Sequence, residues 1–553
     1  MKKLFLSLIL AFVFLSVNAQ NQLDRPKLVV GIVVDQMRWD YLYRFYERYG
    51  DDGFRRLLNE GFSCENTMLN YIPTYTAVGH ASIYTGTVPS IHGIAGNDFI
   101  RQRTGEWVHC IGDQTVNAVG IPAVEYGKRS PKNLLTTTIT DELKLATNFR
   151  SKVIGIALKD RASILSAGHC ADAAYWFDGK SGRWFTSTFY MEKLPDWLQK
   201  YNDKNFPKKY LDKDWNTLYP LETYTQSHSE VNNYEEYFNT EQKNLNRFPI
   251  ETSKMLKSGK FGFDLIGETP YGNTMTFDIA QLAVENEQLG ADNITDFLAI
   301  SLSTPDMLGH KFGVNSAKIE DCYLRLDKDL GDFLKFLDEK IGKNNYLLFL
   351  TADHACAHNA QFLKDNKMNA GIFNDNLILK NLNEKLQEVF GKEKIVKTLN
   401  NYQVNFDYEK IKDIPHEKLI ENCTKILEEE ESIQYVVEQK KAAYSTVPQV
   451  IKECIINGYN HEYSGEIQII VKSGYYSSND LRGSTHGTWN PHDAHVPLMF
   501  FGKGIMHGTS RREVYITDIA PTLAALLKIQ MPNGCIGTPI STIFIFQEVM
   551  KRM

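Results

Sequence analysis

The sequence predicts an α/β protein built on a central, mostly parallel sheet flanked by helices, with two larger insertions. Three observations carry that expectation. Four runs, at 28–34, 153–158, 297–302 and 345–351, are largely apolar without alternation, the pattern of strands buried on both faces. Helix-like stretches lie between several of them, as crossover connections require. Each run gives way within a few residues to charged side chains, and in open α/β sheets ligands collect beyond the carboxyl ends of strands.

Taken in order, the chain begins with Lys2 and Lys3, a largely apolar stretch at 4–17, and the small residues of Val17-Asn18-Ala19. Residues 1–19 are therefore expected to be a cleaved signal peptide. The apolar stretch is shorter than the ~20 residues that span a bilayer, so no membrane anchor is expected after cleavage. Residues 20–553 would then form a single catalytic domain, periplasmic or secreted. Eight cysteines without CxxC spacing argue against a disulfide-dense scaffold and a thiolate zinc site, and leave individual pairings open. A net charge of −6 without basic bias argues against a nucleic-acid-binding surface.

The strand at 28–34 ends at Asp35, and a helix is expected over 40–59 with Gly61 as its stop. Pro73 marks a loop, after which Thr76 opens a helix rich in small residues. A hydroxyl there serves as an N-cap or faces an anion drawn to the positive helix end. Residues 130–149 read as helix, and the strand at 153–158 runs into Lys159-Asp160-Arg161. The aromatic stretch 175–190, with Asp178-Gly179, reads as a hairpin.

Residues 191–270, rich in Tyr, Asn and Lys, lack a buried-strand pattern and read as the first insertion. A helix at 274–289 precedes the strand at 297–302, which leads to Asp306 and His310. A long amphipathic helix at 317–341 leads to the strand at 345–351, which runs into Asp353 and His354. Polar residues 361–445 read as the second insertion, with the acidic run 428–431 as a solvated helix face. The core is expected to resume at 466–472. A glycine-rich loop with His486, a late strand at 496–501 and a closing helix at 516–527 follow.

Singly, Asp35, Asp306, His310, Asp353, His354 and His486 have ordinary explanations as turn formers or satisfied histidines. Jointly, three Asp and three His without a thiolate suit two open zinc sites of three protein ligands each. That is the composition of a two-metal phosphoryl-transfer centre. His80, His92, His358, His492 and His495 are expected in supporting or structural roles. Cys356 is expected to be packed or disulfide-bonded.

The order Asp35, Thr76, Asn97, Asp306-x-x-x-His310, Asp353-His354, His486 resembles the alkaline phosphatase superfamily, in its phosphodiesterase-like branch with a threonine nucleophile. The resemblance covers nearly the whole mature chain. Within that branch, Lys159 and Arg161 look like the pair found in secreted, single-chain, phosphate-irrepressible alkaline phosphatases of Bacteroidetes. The resemblance implies two zinc ions, one held by Asp306, His310 and His486. The other would be held by Asp35, Asp353 and His354, with Thr76 completing its shell. It further implies that Thr76 is the nucleophile, passing through a covalent phosphothreonine. Asn97 would donate to a non-bridging phosphate oxygen, and Lys159 and Arg161 would clamp the others.

Small phosphate monoesters are the expected substrates and a monomer the expected state. A monoester dianion carries more charge on its non-bridging oxygens than a diester, so two aimed cations favour it. The runner-up is a phosphodiesterase or nucleotide pyrophosphatase, which usually has an apolar pocket where the Lys/Arg pair stands. A non-catalytic secreted zinc-binding protein is the third reading, and it requires an idle Thr76. No Cys/Ser-x-Pro-x-Arg motif surrounds Thr76, which disfavours a sulfatase. A phosphoethanolamine transferase would carry several membrane spans.

Overall fold

The computed structural model describes residues 23–238 and 246–544, so the expected signal peptide lies outside the described residues. The body of the main sheet comprises β1 (Leu28–Val34), β2 (Phe62–Met68), β3 (Val153–Ala157), β4 (Ala173–Asp178), β5 (Arg183–Ser187), β6 (Asp296–Leu302), β7 (Tyr346–Thr351), β8 (Leu498–Gly502) and β9 (Gly508–Tyr515). In space the strands run β2-β8-β7-β1-β6-β3-β4-β5, with β9 alongside β2. The five strands β7-β1-β6-β3-β4 are parallel. Antiparallel β8 and β5 flank them on either side.

Every residue of β1, β6 and β7 is buried, which accounts for their largely apolar sequences. Each fully buried Val, Leu or Ile contributes roughly 1.5–3 kcal/mol. The register matters most for function. Val33 pairs with both Thr351 and Ser301, and Ser301 pairs with Ala157. Four adjacent parallel strands therefore end nearly flush, and the residues just beyond them meet.

Several elements differ from expectation. The helix expected over 40–59 is broken into Tyr41–Arg44, a 3-10 turn at Tyr46–Arg48, and Phe54–Glu60. Asp327 causes the break, because its two carboxylate oxygens accept from Gly50 N–H (2.7 Å) and Phe54 N–H (2.8 Å). Only Ile139–Ala146 of the helix expected over 130–149 forms, since Thr138 caps it in a reciprocal capping box with Asp141. The strand expected to resume the core, Ile467–Val471, lies instead in a separate four-stranded sheet with Val396–Thr398, Gln403–Phe406 and Ile433–Glu438. This sheet has its own apolar cluster around Leu382, Val404, Leu419 and Ile469. A strand buried on both faces carries the same sequence pattern in a small sheet as in a large one. All eight cysteines are free thiols, so none of the pairings left open is made.

Candidate active site

The helix α1 (Thr76–Thr85) begins at Thr76, with Tyr75 in the capping position and no side-chain cap. The Thr76 hydroxyl is thus not spent on capping. The acceptor for the helix end comes from elsewhere, since Asn97 Oδ1 accepts Ala77 N–H at 3.0 Å. All ten residues of α1 are buried. Gly79 allows the helix to sit on the end of β7, where an added Cβ would stand 2.3 Å from Asp353 O.

Lys159 lies between β3 and helix α2 (Asp160–Ala167), and its Nζ sits 2.6 Å from Asp35 Oδ2 and 2.5 Å from Asp306 Oδ2. The same ammonium is 3.5 Å from Thr76 Oγ1. The Arg161 Nε is buried without a hydrogen-bond partner, and Nη1 is 3.8 Å from Asp160 Oδ1. Helix α3 (Thr304–Phe312) follows β6 and sets Asp306 and His310 one turn apart. His310 Nε2 lies 3.1 Å from Asp306 Oδ1, and His486 Nε2 lies 3.5 Å from the same oxygen.

Two groups of ligand atoms converge within 4.8 Å of one another: Asp35, Asp353 and His354, and Asp306, His354 and His486. His354 therefore neighbours both groups, its ring stacked on His486 at 3.5 Å between centroids. Asp35 Oδ1, Asp353 Oδ2 and His354 Nε2 are buried and have no hydrogen-bond partner. Each such orphan costs about 1–3 kcal/mol. Oxygen and imidazole donors converging in this way fit a divalent cation of the zinc type.

Each of the three histidines is held through its Nδ1. His310 Nδ1 contacts Ser484 O (2.9 Å), His354 Nδ1 contacts Ala355 O (3.1 Å) and His486 Nδ1 contacts Thr74 O (2.6 Å). A carbonyl only accepts, so each Nδ1 carries a proton; in His354 and His486 this leaves the Nε2 lone pair available, whereas His310 Nε2 faces the Asp306 carboxylate at 3.1 Å. Burial pushes the His354 imidazolium down to about 3, which leaves that ring neutral, and lowers His486 as well. Burial also lowers His310, but the Asp306 carboxylate outweighs it and holds that ring above its usual value. Burial and the neighbouring Asp353 push Asp35 well up. For Asp306, His310 and Lys159 overcome burial and hold the carboxyl well below the usual range.

Sequence reasoning missed Gln36. This buried residue has φ 67° and donates from Nε2 to Asp306 Oδ1 at 2.6 Å, while its N–H reaches Asp353 Oδ1 at 3.2 Å. It touches both groups at once, and only its place after Asp35 hinted at it. His80 contacts Thr76 O (2.8 Å), Ser301 Oγ (2.9 Å) and Asp353 Oδ2 (3.3 Å), a supporting position. His92 and His358 sit on Ser82 and Asn315, and His495 stacks on Trp39. Cys356 Sγ lies 3.4 Å from Ser484 Oγ, outside both groups.

Residues 29–495 match the family model described as type I phosphodiesterase / nucleotide pyrophosphatase. A Myroides odoratus protein named calcium-transporting ATPase is 54% identical over 534 residues, 96% of each chain. Alkaline phosphatase PafA of Elizabethkingia meningoseptica is 46% identical, covering 98% of this chain and 99% of that one. Alkaline phosphatase PhoV of Synechococcus elongatus is 47% identical, covering 94% and 92%. The crystal structure of PafA superposes with a TM-score of 0.91, covering 94% of this chain and 99% of that one. A PafA variant substituted at one threonine, one asparagine, one lysine and one arginine superposes equally well. By the extent of the family match and these full-length likenesses, the chain belongs to the type I phosphodiesterase / nucleotide pyrophosphatase family, within the alkaline phosphatase superfamily.

Proposed function

We propose that the protein is an exported alkaline phosphatase that hydrolyses small phosphate monoesters with two zinc ions and a threonine nucleophile. The observation that supports this most is Lys159, an ammonium 3.5 Å from Thr76 Oγ1 with Arg161 two residues on. The family description alone would accommodate a phosphodiesterase. The cationic pair beside the nucleophile favours a substrate with more negative charge. In the substituted PafA variant, the threonine, asparagine, lysine and arginine are separated by the same sequence intervals as Thr76, Asn97, Lys159 and Arg161.

In this reading Asp306, His310 and His486 hold one zinc. Asp35, Asp353 and His354 hold the other, with Thr76 completing its shell. When bound, the two cations lower the pKa of the Thr76 hydroxyl and stabilise negative charge on the leaving oxygen. Thr76 Oγ1 loses its proton to water and attacks phosphorus, the bond to the ester oxygen breaks, and that oxygen departs with the electron pair and takes a proton from water to become the alcohol. Water then attacks the phosphothreonine, Thr76 Oγ1 leaves, and inorganic phosphate is released. Asn97 Nδ2 donates to a non-bridging oxygen, its Oδ1 being held by Ala77 N–H. Burial lowers Lys159, but Asp306 and Asp35 outweigh that and keep it above its usual value. It therefore acts as a fixed cation and not as a base.

The test compares an aryl phosphate monoester with its methyl diester on wild type and on Lys159→Ala/Arg161→Ala. Wild type is expected to prefer the monoester. The double variant should lose roughly 100-fold or more on the monoester and far less on the diester. Equal losses would remove the pair from substrate choice and return the diesterase reading. Chelation should abolish activity and zinc restore it.

A further inference from the structure

The second insertion reaches the active-site region through one turn, Asn400–Tyr402. Within it Asn401 (φ 60°, ψ 26°) and Tyr402 (φ 56°) both occupy the left-handed region. Asparagine tolerates that conformation and tyrosine seldom adopts it. Two such residues in succession persist only where surrounding contacts impose them.

Several of those contacts converge on one loop. Asn401 Nδ2 donates to Asp98 O at 3.0 Å, and Asn400 Nδ2 donates to the same carbonyl at 2.9 Å. On the other side of Asn97, Gly96 lies so close that an added Cβ would stand 2.5 Å from Asn401 Nδ2. Any other residue at Gly96 would displace the Asn401 side chain. The hairpin that follows, Asp98–Arg101 with Glu106–His109, is tied to the same insertion. Gln102 Nε2 donates to Asn405 Oδ1 at 3.0 Å and Lys397 Nζ to Gly105 O, while Gln102 N–H donates to Glu462 O at 2.8 Å, beyond the insertion.

Asn97 is thus held from two directions. The nucleophile helix holds its side-chain oxygen through Ala77 N–H, and the insertion bonds the backbone after it at Asp98 O and packs against Gly96 before it. We propose that Asn401, assisted by Asn400, is a positioning residue. It braces the Gly96–Asp98 loop so that the Asn97 amide meets the phosphate oxygen at the end of α1. This rests on the reading of Asn97 as a phosphate-oxygen donor. It gives the second insertion a part in the reaction although Asn401 touches no substrate.

A double-mutant cycle tests it on the zinc-loaded enzyme with an aryl monoester. Asn401→Gly accepts the positive φ and removes the amide, and Asn401→Asp sets an acceptor against Asp98 O. Each is measured alone and in an Asn97→Ala background. Asn401→Asp is expected to lower kcat/KM about tenfold, and Asn401→Gly less. Neither should cause further loss once Asn97 is alanine. If the losses multiply undiminished in that background, or if both single variants behave as wild type, the brace is wrong. If Asn97→Ala alone costs nothing, the Asn97 role itself fails, a separate outcome. Should both Asn401 variants misfold, Asn400→Ala removes the other donor without touching the strained residue and decides by the same cycle.

Discussion

The two carboxylate–imidazole groups at the end of the sheet differ in how far the protein completes them by itself. Asp35, Asp353 and His354 are fully buried. They follow directly on the adjacent strands β1 and β7, and three of their atoms make no hydrogen bond. In the other group, Asp306 already receives Lys159 and Gln36 and contacts His310. His310, beside Asp306 but outside both convergent sets of ligand atoms, is 39% exposed, and His486 comes from a loop and not a strand. Lys159 reaches Asp35 as well as Asp306, and Gln36 N–H reaches Asp353, but the first group keeps buried atoms without a hydrogen bond, whose desolvation a cation would offset. A site already paired internally, near solvent and carried on a helix and a loop, gains less. The first group is therefore expected to retain a cation more tightly than the second.

The largest expected effect separates them directly. Asp353→Asn should lower monoester kcat/KM by roughly 1,000-fold and resist rescue, since it removes a buried ligand with no substitute. His310→Asn should cost about 100-fold and recover much of that in excess zinc, because it weakens a site that is already the looser one. Stepwise chelation followed by metal analysis should show one equivalent leaving before the other. Simultaneous loss of both, or a His310→Asn enzyme that excess zinc cannot rescue, would erase the distinction.

Lys159 links the groups, and its removal should act on stability more than on folding geometry. In metal-free protein, Lys159→Ala leaves Asp35 and Asp306 without their shared cation. Removing one partner of a buried ion pair costs about 3–5 kcal/mol, and protonation of Asp35 relieves part of that. A loss of roughly 2 kcal/mol is expected in metal-free protein, with a much smaller loss when zinc is present. Thermal melts of both forms measure it. An equal drop with and without zinc would mean that Lys159 does not stand in for cation charge there.

The same asymmetry explains what was legible in the sequence. The first group follows unbroken apolar strands, so Asp35, Asp353 and His354 stood out beside β1 and β7 as polar residues at the ends of buried runs. Asp306 and His310 were readable through their helical spacing after β6. Gln36 was not, because its role depends on a left-handed backbone and on α3 lying against it, and neither leaves a pattern in the chain. Ile467–Val471 misled for the opposite reason, since burial on both faces produces one signature in any sheet. The turn at Asn401 was equally hidden, being defined by contacts with Gly96 and Asp98 some 300 residues away.

The smallest expected effect concerns the loop that carries His486. Asp493 Oδ2 accepts Thr488 N–H at 2.9 Å and Thr488 Oγ1 at 2.7 Å, and Gly487 N–H reaches Thr74 Oγ1 at 3.0 Å. Asp493 is fully buried, its Oδ1 has no hydrogen-bond partner, and burial pushes its carboxyl up to about 7. An unfolded aspartate titrates near 3.9, so between about pH 4 and 7 the folded state binds the extra proton. The stabilisation is complete below that window and is lost as pH rises through about 7. Asp493→Asn does not titrate, so melting temperatures of the metal-free variant should fall less than wild type from pH 4.5 to 7.5. The difference should amount to about 1–2 kcal/mol once local relaxation is allowed. Parallel profiles would mean that Asp493 ionises freely in the fold. The second group's loop would then be held as firmly as the strands that carry the first.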